Sequence, residues 1–137
     1  MALIALVAAW TAWQPLRSSN AGQDALAALD RRDVDEAREL ARTARDRNRL
    51  SVDPLYELAV IESAAGREVA ARRALEQAVR LQPRNPDPWL RLAEFELFTL
   101  DRPRVALTAI RPALFLDPRS SDAIGVFLAA TRRTRTP

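Results

Sequence analysis

Two pairs of carboxylates recur at one interval in this sequence. The step from Asp53 to Asp87 equals the step from Glu62 to Glu96. Carboxylates that meet in a fold can act as general acid and base or bind a divalent cation. The regular spacing also has a structural explanation, in which the aspartates cap helices and the glutamates pair with arginines of an adjoining helix. We favour the structural explanation and predict no catalytic residue and no metal site.

The composition excludes most other catalytic and metal-binding chemistry. The 137 residues include no Cys and no His, which excludes disulfides, thiolate or imidazole metal ligands, and His-based acid–base catalysis. All 21 basic residues are Arg, so neither a Schiff-base lysine nor the lysine of a phosphate-binding loop is present. The net charge is only +3, whereas a nucleic-acid-binding protein usually carries a larger basic excess. We expect a non-enzymatic protein with no cofactor and no nucleic-acid partner.

A longer repeat contains these carboxylates. Residues 52–59 resemble residues 86–93, and a second set of residues recurs at an interval that is longer by one. In the second set, Ala71, Ala74, Leu75, Ala78, Leu81 and Pro83 return as Ala106, Ala109, Ile110, Ala113, Leu116 and Pro118. A period of about 34 residues, with apolar residues at helical spacing, predicts stacked helix–turn–helix units. Such stacks usually present binding surfaces.

The residue types at these positions resemble the tetratricopeptide repeat. That repeat has a large residue, Leu and a small residue in its first helix, followed by Ala, a bulky residue, Ala and Pro. The matching residues are Leu55 and Trp89, Leu58 and Leu92, Ala59 and Ala93, Ala71 and Ala106, Leu75 and Ile110, Ala78 and Ala113, and Pro83 and Pro118. Two departures stand out: Glu62 and Glu96 replace the usual aromatic, and Arg49 stands where Pro is expected.

From the resemblance and the helix signals we predict an all-α antiparallel helix-hairpin solenoid. An apolar N-terminal helix covers residues 1–17, and the repeat domain covers residues 18–137. Its repeats are expected at about 20–50, 52–85 and 86–119, and a C-terminal capping helix at 120–133. The first repeat is divergent.

Local signals add detail to this arrangement. Asp33 is expected to cap one helix, and the segment 120–122 the last one. We place the extra residue of the third repeat in the loop 100–102. Pro112 lies inside a predicted helix, where it cannot donate to the carbonyl of Thr108, so a kink or early fraying is expected there.

The N-terminal segment leaves three alternatives open. Residues 2–13 carry no charge and are mostly apolar, but they are too few to cross a bilayer, which needs about 20 residues. They fit the end of a membrane helix, with Trp10 and Trp13 at the interface and Arg17 beyond. A secretory signal fits less well, because a basic start and a clear cleavage site are missing. The third alternative is an apolar helix that caps the first repeat. We favour membrane attachment.

The resemblance implies that a peptide partner lies on the concave face formed by the first helix of each pair. That face would carry Leu26, Tyr56, Val60, Ser63, Leu90, Glu94, Leu97 and Phe98. It lacks Lys, Arg and Asn, so we predict a protein or peptide partner with an apolar or amphipathic segment. Alternatively, Tyr56, Leu97 and Phe98 pack between helices. The arginines at 72–73 and 132–135 are candidates for contact with anionic lipid headgroups.

The order of features also resembles the repeat-bearing C-terminal tail of O-antigen-ligase-like membrane proteins of actinobacteria. That resemblance implies an extracytoplasmic repeat domain, whereas Arg17, Arg31 and Arg32 after the apolar segment favour a cytoplasmic one. We predict a membrane-tethered protein-interaction module. The alternatives are an accessory tail of a larger membrane enzyme and a soluble cytoplasmic scaffold.

Overall fold

The computed structural model describes residues 23–135, and in this range it contains helices and no strand. The α-helices are residues 23–30 (α1), Val34–Arg47 (α2), Asp53–Ala64 (α3), Glu68–Leu81 (α4), Pro86–Glu94 (α5), Pro103–Leu116 (α6) and Ser121–Arg135 (α7). A π-helical segment, Phe95–Thr99, directly follows α5 and is called the π segment below. The predicted all-α fold of consecutive helix pairs is confirmed.

The chain forms two compact units, of which one ends at Ala71 and the other begins at Arg72, inside α4. In the first unit, α2 packs against α3. Its core is built from small residues of α1 and α2 around one large side chain of α3. These core residues are Ala25, Ala28, Ala37, Ala41 and Ile61, and all are fully buried. Alanines at these positions allow close approach of the helices, as the repeat pattern predicts.

In the second unit, α6 packs against both α5 and α7. Small buried side chains again line the helix contacts, together with a few larger ones. They include Ala93, Leu97, Ala106, Ile110, Ala113, Ala123, Val126 and Ala130. Because α6 has neighbours on two sides, it holds the central place in this unit.

Side-chain caps define two of the helix starts as predicted. Asp33 Oδ1 accepts a hydrogen bond from the Glu36 amide at 3.1 Å, and Ser120 Oγ accepts from the Ala123 amide at 3.2 Å. Each cap satisfies an amide of the first turn that has no partner within the helix. The boundaries of α2 and α7 therefore follow from local sequence.

The prediction that Asp53 and Asp87 cap their helices is wrong. Val52 is the N-cap of α3, and the N-cap of α5 is Asn85, whose side chain accepts from the Asp87 amide at 3.1 Å. Both aspartates lie in the first helical turn beside a proline at the N1 or N2 position. Their negative charge there still favours the helix, through its dipole.

The turn between the two helices of each pair contains one residue in the left-handed region. These residues are Arg32 with φ 64°, Gly66 with φ 70° and Asp101 with φ 49°. Their spacing along the chain follows the period of the repeat. Only Gly66 adopts this backbone without the steric cost that a Cβ imposes.

The extra residue of the third repeat lies in the helix, not in the loop 100–102 as predicted. The amide of Ala65 donates to the carbonyl of Ile61 at 3.1 Å, which is the ordinary α-helical step. The amide of Leu100 instead donates to Phe95, one position further back, at 3.1 Å. One inserted residue is thus absorbed as a π turn, which keeps the following left-handed turn intact.

Pro112 does not fray its helix. α6 extends to Leu116, and the amide of Asp117 donates to the Ala113 carbonyl at 2.8 Å. Ala109, Ile110 and Ala113 are buried on both sides of the proline, so packing holds the last turn although the hydrogen bond to Thr108 is lost. Early fraying is therefore wrong, and the kink stays a prediction.

Candidate functional site

Glu62 is a buried carboxylate whose charge is fully compensated. It is 5% exposed and lies on α3. Arg38 of α2 donates from Nε to Glu62 Oε1 at 2.8 Å, and Arg67 donates from Nε to Oε2. Each carboxylate oxygen therefore has a charged donor, which is the condition for burying an ionised group.

Glu96 in the π segment has the corresponding pair but lacks the second donor. It is 1% exposed, and Arg72 of α4 donates from Nε to Glu96 Oε1. This hydrogen bond raises the pKa of the Arg72 guanidinium. Glu96 Oε2 is buried and has no hydrogen-bond partner within residues 23–135.

The two ion pairs are copies of one contact. The step from Arg38 to Arg72 equals the step from Glu62 to Glu96, and both equal one repeat. The prediction that these glutamates pair with arginines of an adjoining helix is confirmed. The sequence carried a signal for the arginines as well, since each precedes its glutamate by the same interval.

The surroundings of the four repeated carboxylates in the described part of the chain suit a structural role. Glu62 and Glu96 are engaged by guanidinium groups, and the two aspartates lie in first helical turns. Within residues 23–135, no group of three or more acidic side chains is placed to hold a metal ion. The arrangement serves packing between repeats.

In the first unit, the predicted binding face is partly open to solvent. Leu26 of α1 is 40% exposed and Val60 of α3 is 52% exposed. Tyr56 and Ser63 are half-buried on the same helix as Val60. Leu26 and Val60 are separated by one full repeat, so they occupy equivalent positions in successive repeats.

In the second unit, one residue of the predicted binding face is buried in the core. Leu97 is fully buried and belongs to the core, so it cannot line a surface in this conformation. Leu90 and Glu94 are half-buried, and burial raises the pKa of Glu94. Phe98 is 57% exposed, and the Arg133 guanidinium lies 5.4 Å from its ring centroid. The alternative that residues of this set pack between helices thus holds for Leu97.

A shallow groove of about 420 Å³ opens beside the start of α6 and the end of α7. It is lined by Arg102, Pro103, Arg104, Val105, Arg133 and Thr134 and is called the arginine groove below. The sequence pattern pointed to Arg133 but not to Arg102 or Arg104. Their isolated positions beside Pro103 form no run that would mark a basic surface.

Comparison with known proteins supports the repeat assignment. Residues 52–95 match the tetratricopeptide repeat family. The chain contains a tetratricopeptide repeat. The matched range covers α3, α4 and α5, together with the Glu62 carboxylate. No curated protein gives a significant match.

Two solved tetratricopeptide repeat domains are similar in structure. The Sgt2 domain from Aspergillus fumigatus has a TM-score of 0.68 at 20% identity, over 85% of this chain and 78% of that one. The first such domain of the human RPAP3 protein has a TM-score of 0.69 at 15% identity, over 88% of this chain and 94% of that one. At these identities the likeness establishes the fold.

The membrane prediction falls on residues 1–17, which lie outside the described residues. Among the helices of residues 23–135, none has the length and apolar character needed to span a bilayer. The resemblance to O-antigen-ligase-like tails stays a prediction.

Proposed function

We propose that this chain is a protein-interaction module of the tetratricopeptide repeat type, without enzymatic activity of its own. The observation that carries the proposal is an exposed apolar residue that recurs at the repeat interval. Leu26 is 40% exposed, Val60 is 52% exposed and Leu128 is 50% exposed, and Glu94 takes the intervening position. Leu26 and Val60 are exposed apolar side chains on the first helices of two successive pairs in the first unit, and such a set suits an apolar or amphipathic peptide segment.

The buried ion pairs support a role in binding over a role in catalysis. Among the residues from 23 to 135, Glu62 and Glu96 are the acidic side chains best shielded from water. Each forms an ion pair with an arginine of an adjoining helix. A general acid or base needs a carboxylate that can exchange a proton with a substrate. The carboxylates instead hold one helix pair to the next, which suits a scaffold for recognition.

Site-specific photocrosslinking in the producing cell tests this function. A photoreactive phenylalanine analogue is placed at position 60 on α3 or at position 128 on α7, both of which are exposed. The matched control carries it at position 111, an exposed position on α6. We expect discrete protein adducts from positions 60 and 128 and none from 111, with unchanged thermal melting. Equal adducts at all three positions, or none at any, would contradict the proposal.

We further propose that residues 1–17 tether the module to a membrane. The uncharged residues 2–13 and the tryptophans at 10 and 13 support this. Alkaline-carbonate extraction of the full chain and of a chain that begins at Ser18 tests it. The full chain is expected in the membrane pellet and the shorter chain in the supernatant. Extraction of both would leave the soluble scaffold as the better description.

A further inference from the structure

The arginine groove combines a fixed wall with two further arginines. Arg133 forms the wall, because its Nη1 donates to the Leu97 carbonyl at 2.9 Å and to Asp101 Oδ1 at 3.1 Å. Within residues 23–135, the side chains of Arg102 and Arg104 make no ion pair and no hydrogen bond. Asp101 at the rim is already engaged by Arg133. Among the described residues, the positive charges of Arg102 and Arg104 are therefore uncompensated.

The repeat explains why the Arg102 side chain forms no ion pair with another residue of the range 23–135. The amide of Arg67 donates to the Glu62 carbonyl at 2.8 Å, and the amide of Arg102 donates to the Glu96 carbonyl at 2.7 Å, so the two arginines are equivalent. Arg67 turns its guanidinium to the Glu62 carboxylate. Arg102 follows the π segment and lines the groove instead, while Glu96 Oε2 stays without a partner among the described residues. The arginine that the preceding repeat pairs with its buried glutamate therefore lines the groove here.

The start of α6 adds to the attraction for an anion. Its N-cap is Arg102, which provides no side-chain acceptor for the amides of the first turn. These amides carry the positive end of the helix dipole, and they lie beside the guanidinium groups of the groove. Pro103 and Val105 supply apolar surface between the charges, and Val105 is 39% exposed.

We infer that the arginine groove binds an acidic segment of a protein partner, whose carboxylates meet Arg102 and Arg104 and whose apolar side chain covers Pro103 and Val105. This inference rests on the proposed function as a protein-interaction module and names the partner chemistry at a second surface. A single small anion in an open groove is strongly screened by water and salt. A peptide makes several charge-assisted and apolar contacts at once, which the mixed lining matches.

Fluorescence anisotropy with the full chain tests the groove. The probe is a fluorescein-labelled ten-residue peptide of alternating Glu and Leu, and its control replaces each Glu with Gln. The test variant is Arg102→Gln with Arg104→Gln. The matched variant, Arg111→Gln with Arg119→Gln, removes the same charge from exposed positions on and just after α6. We expect at least about tenfold weaker binding for the test variant only.

Several outcomes would overturn the inference. They are absence of binding to the acidic peptide, equal binding to the Gln peptide, and equal weakening by the two double variants. Cosedimentation with vesicles of phosphatidylserine and phosphatidylcholine, lost in the test variant without any peptide binding, would assign the groove to a membrane surface instead. Circular dichroism confirms that each variant is folded. Photocrosslinking at position 60 is read separately, so adducts there without peptide binding would refute the groove and keep the proposed function.

Discussion

At the residue scale, the buried ion pair of Glu96 makes a sharp prediction about Arg72. Replacement Arg72→Ala leaves a carboxylate that is 1% exposed without a charged partner, so we expect a loss of about 3 kcal/mol in the free energy of unfolding. The neighbouring Arg73 is exposed, and Arg73→Ala should cost less than about 0.5 kcal/mol. Urea denaturation of both variants measures the difference. Similar losses for the two would show that Arg72 acts only through helix propensity.

The same pair can be tested by removing the charge itself. The positions one repeat before Glu62 and one repeat after Glu96 are Ala28 and Ala130, both fully buried. The fold therefore accepts an apolar residue there. Adding Glu96→Leu to Arg72→Ala should recover most of the lost stability, because no buried charge remains.

A second residue-scale prediction concerns pH. Burial raises the pKa of Glu57, and Asp53 adds to this. Glu57 Oε2 is buried without a hydrogen-bond partner within the described residues. Because the folded-state pKa lies above the unfolded one, Glu57 destabilises the fold at neutral pH. This cost declines as pH falls below the raised pKa and is gone below the unfolded-state pKa.

Replacement of Glu57 by Gln should therefore remove the part of the pH dependence of stability that Glu57 causes. We expect Glu57→Gln to raise the melting temperature at pH 7 and to lose that advantage as pH falls below the raised pKa. Glu39→Gln is the control, since that side chain is 73% exposed. Thermal melts between pH 4 and 8 measure this difference. A higher melting temperature of Glu57→Gln that persists at pH 4 would contradict the raised pKa of Glu57.

At the scale of the helix element, the left-handed turns predict opposite effects for one substitution. Gly66 has φ 70°, and a Cβ there would meet no atom within 4 Å, so Gly66→Ala adds only the backbone cost of about 1 kcal/mol. Gly125 lies in α7 with the same open surroundings, and Gly125→Ala should stabilise by about 0.5–1 kcal/mol. Thermal unfolding gives both signs. The same sign for the two would show that the turn geometry is not responsible.

The element scale also shows which features the sequence could predict. The period and the alanine spacing located α3, α4, α5 and α6, because helix contacts demand small residues at fixed intervals. The cap positions of α3 and α5 were missed, since Asp beside Pro suits both the N-cap and the first turn. The length of the repeat interval alone could not tell whether the extra residue of the third repeat lay in the loop or in the helix. For Leu97, the sequence left open both the candidate face and packing between helices, and the side chain is fully buried.

At the scale of the whole molecule, the candidate site was only partly predictable. The exposure of Leu26 and Val60 could be predicted, because residues one repeat apart lie on the same face of equivalent helices and the sequence shows the repeat. The arginine groove does not, because Arg102 and Arg104 meet Arg133 only through packing of α7 beside α6. A contact between residues so far apart in the chain depends on the tertiary arrangement, and no local motif marks it.

The last prediction concerns helix α7 and the surface of α6 that it covers. Helix α7 packs on α6 and buries Ala123, Val126 and Ala130, while Phe127 occupies the position of the small residues Ala59 and Ala93. The bulk of Phe127 suits a capping helix, because a second helix could not approach it as closely as it approaches alanine.

A chain that ends at residue 119 should therefore expose the apolar face of α6. We expect it to melt at a lower temperature and to self-associate in light scattering. A chain that ends at residue 131 keeps the buried residues of α7 and loses only the last turn with Arg133, so it should remain monomeric. If the shorter chain were equally stable and monomeric, α7 would not be needed to cover the apolar face of α6.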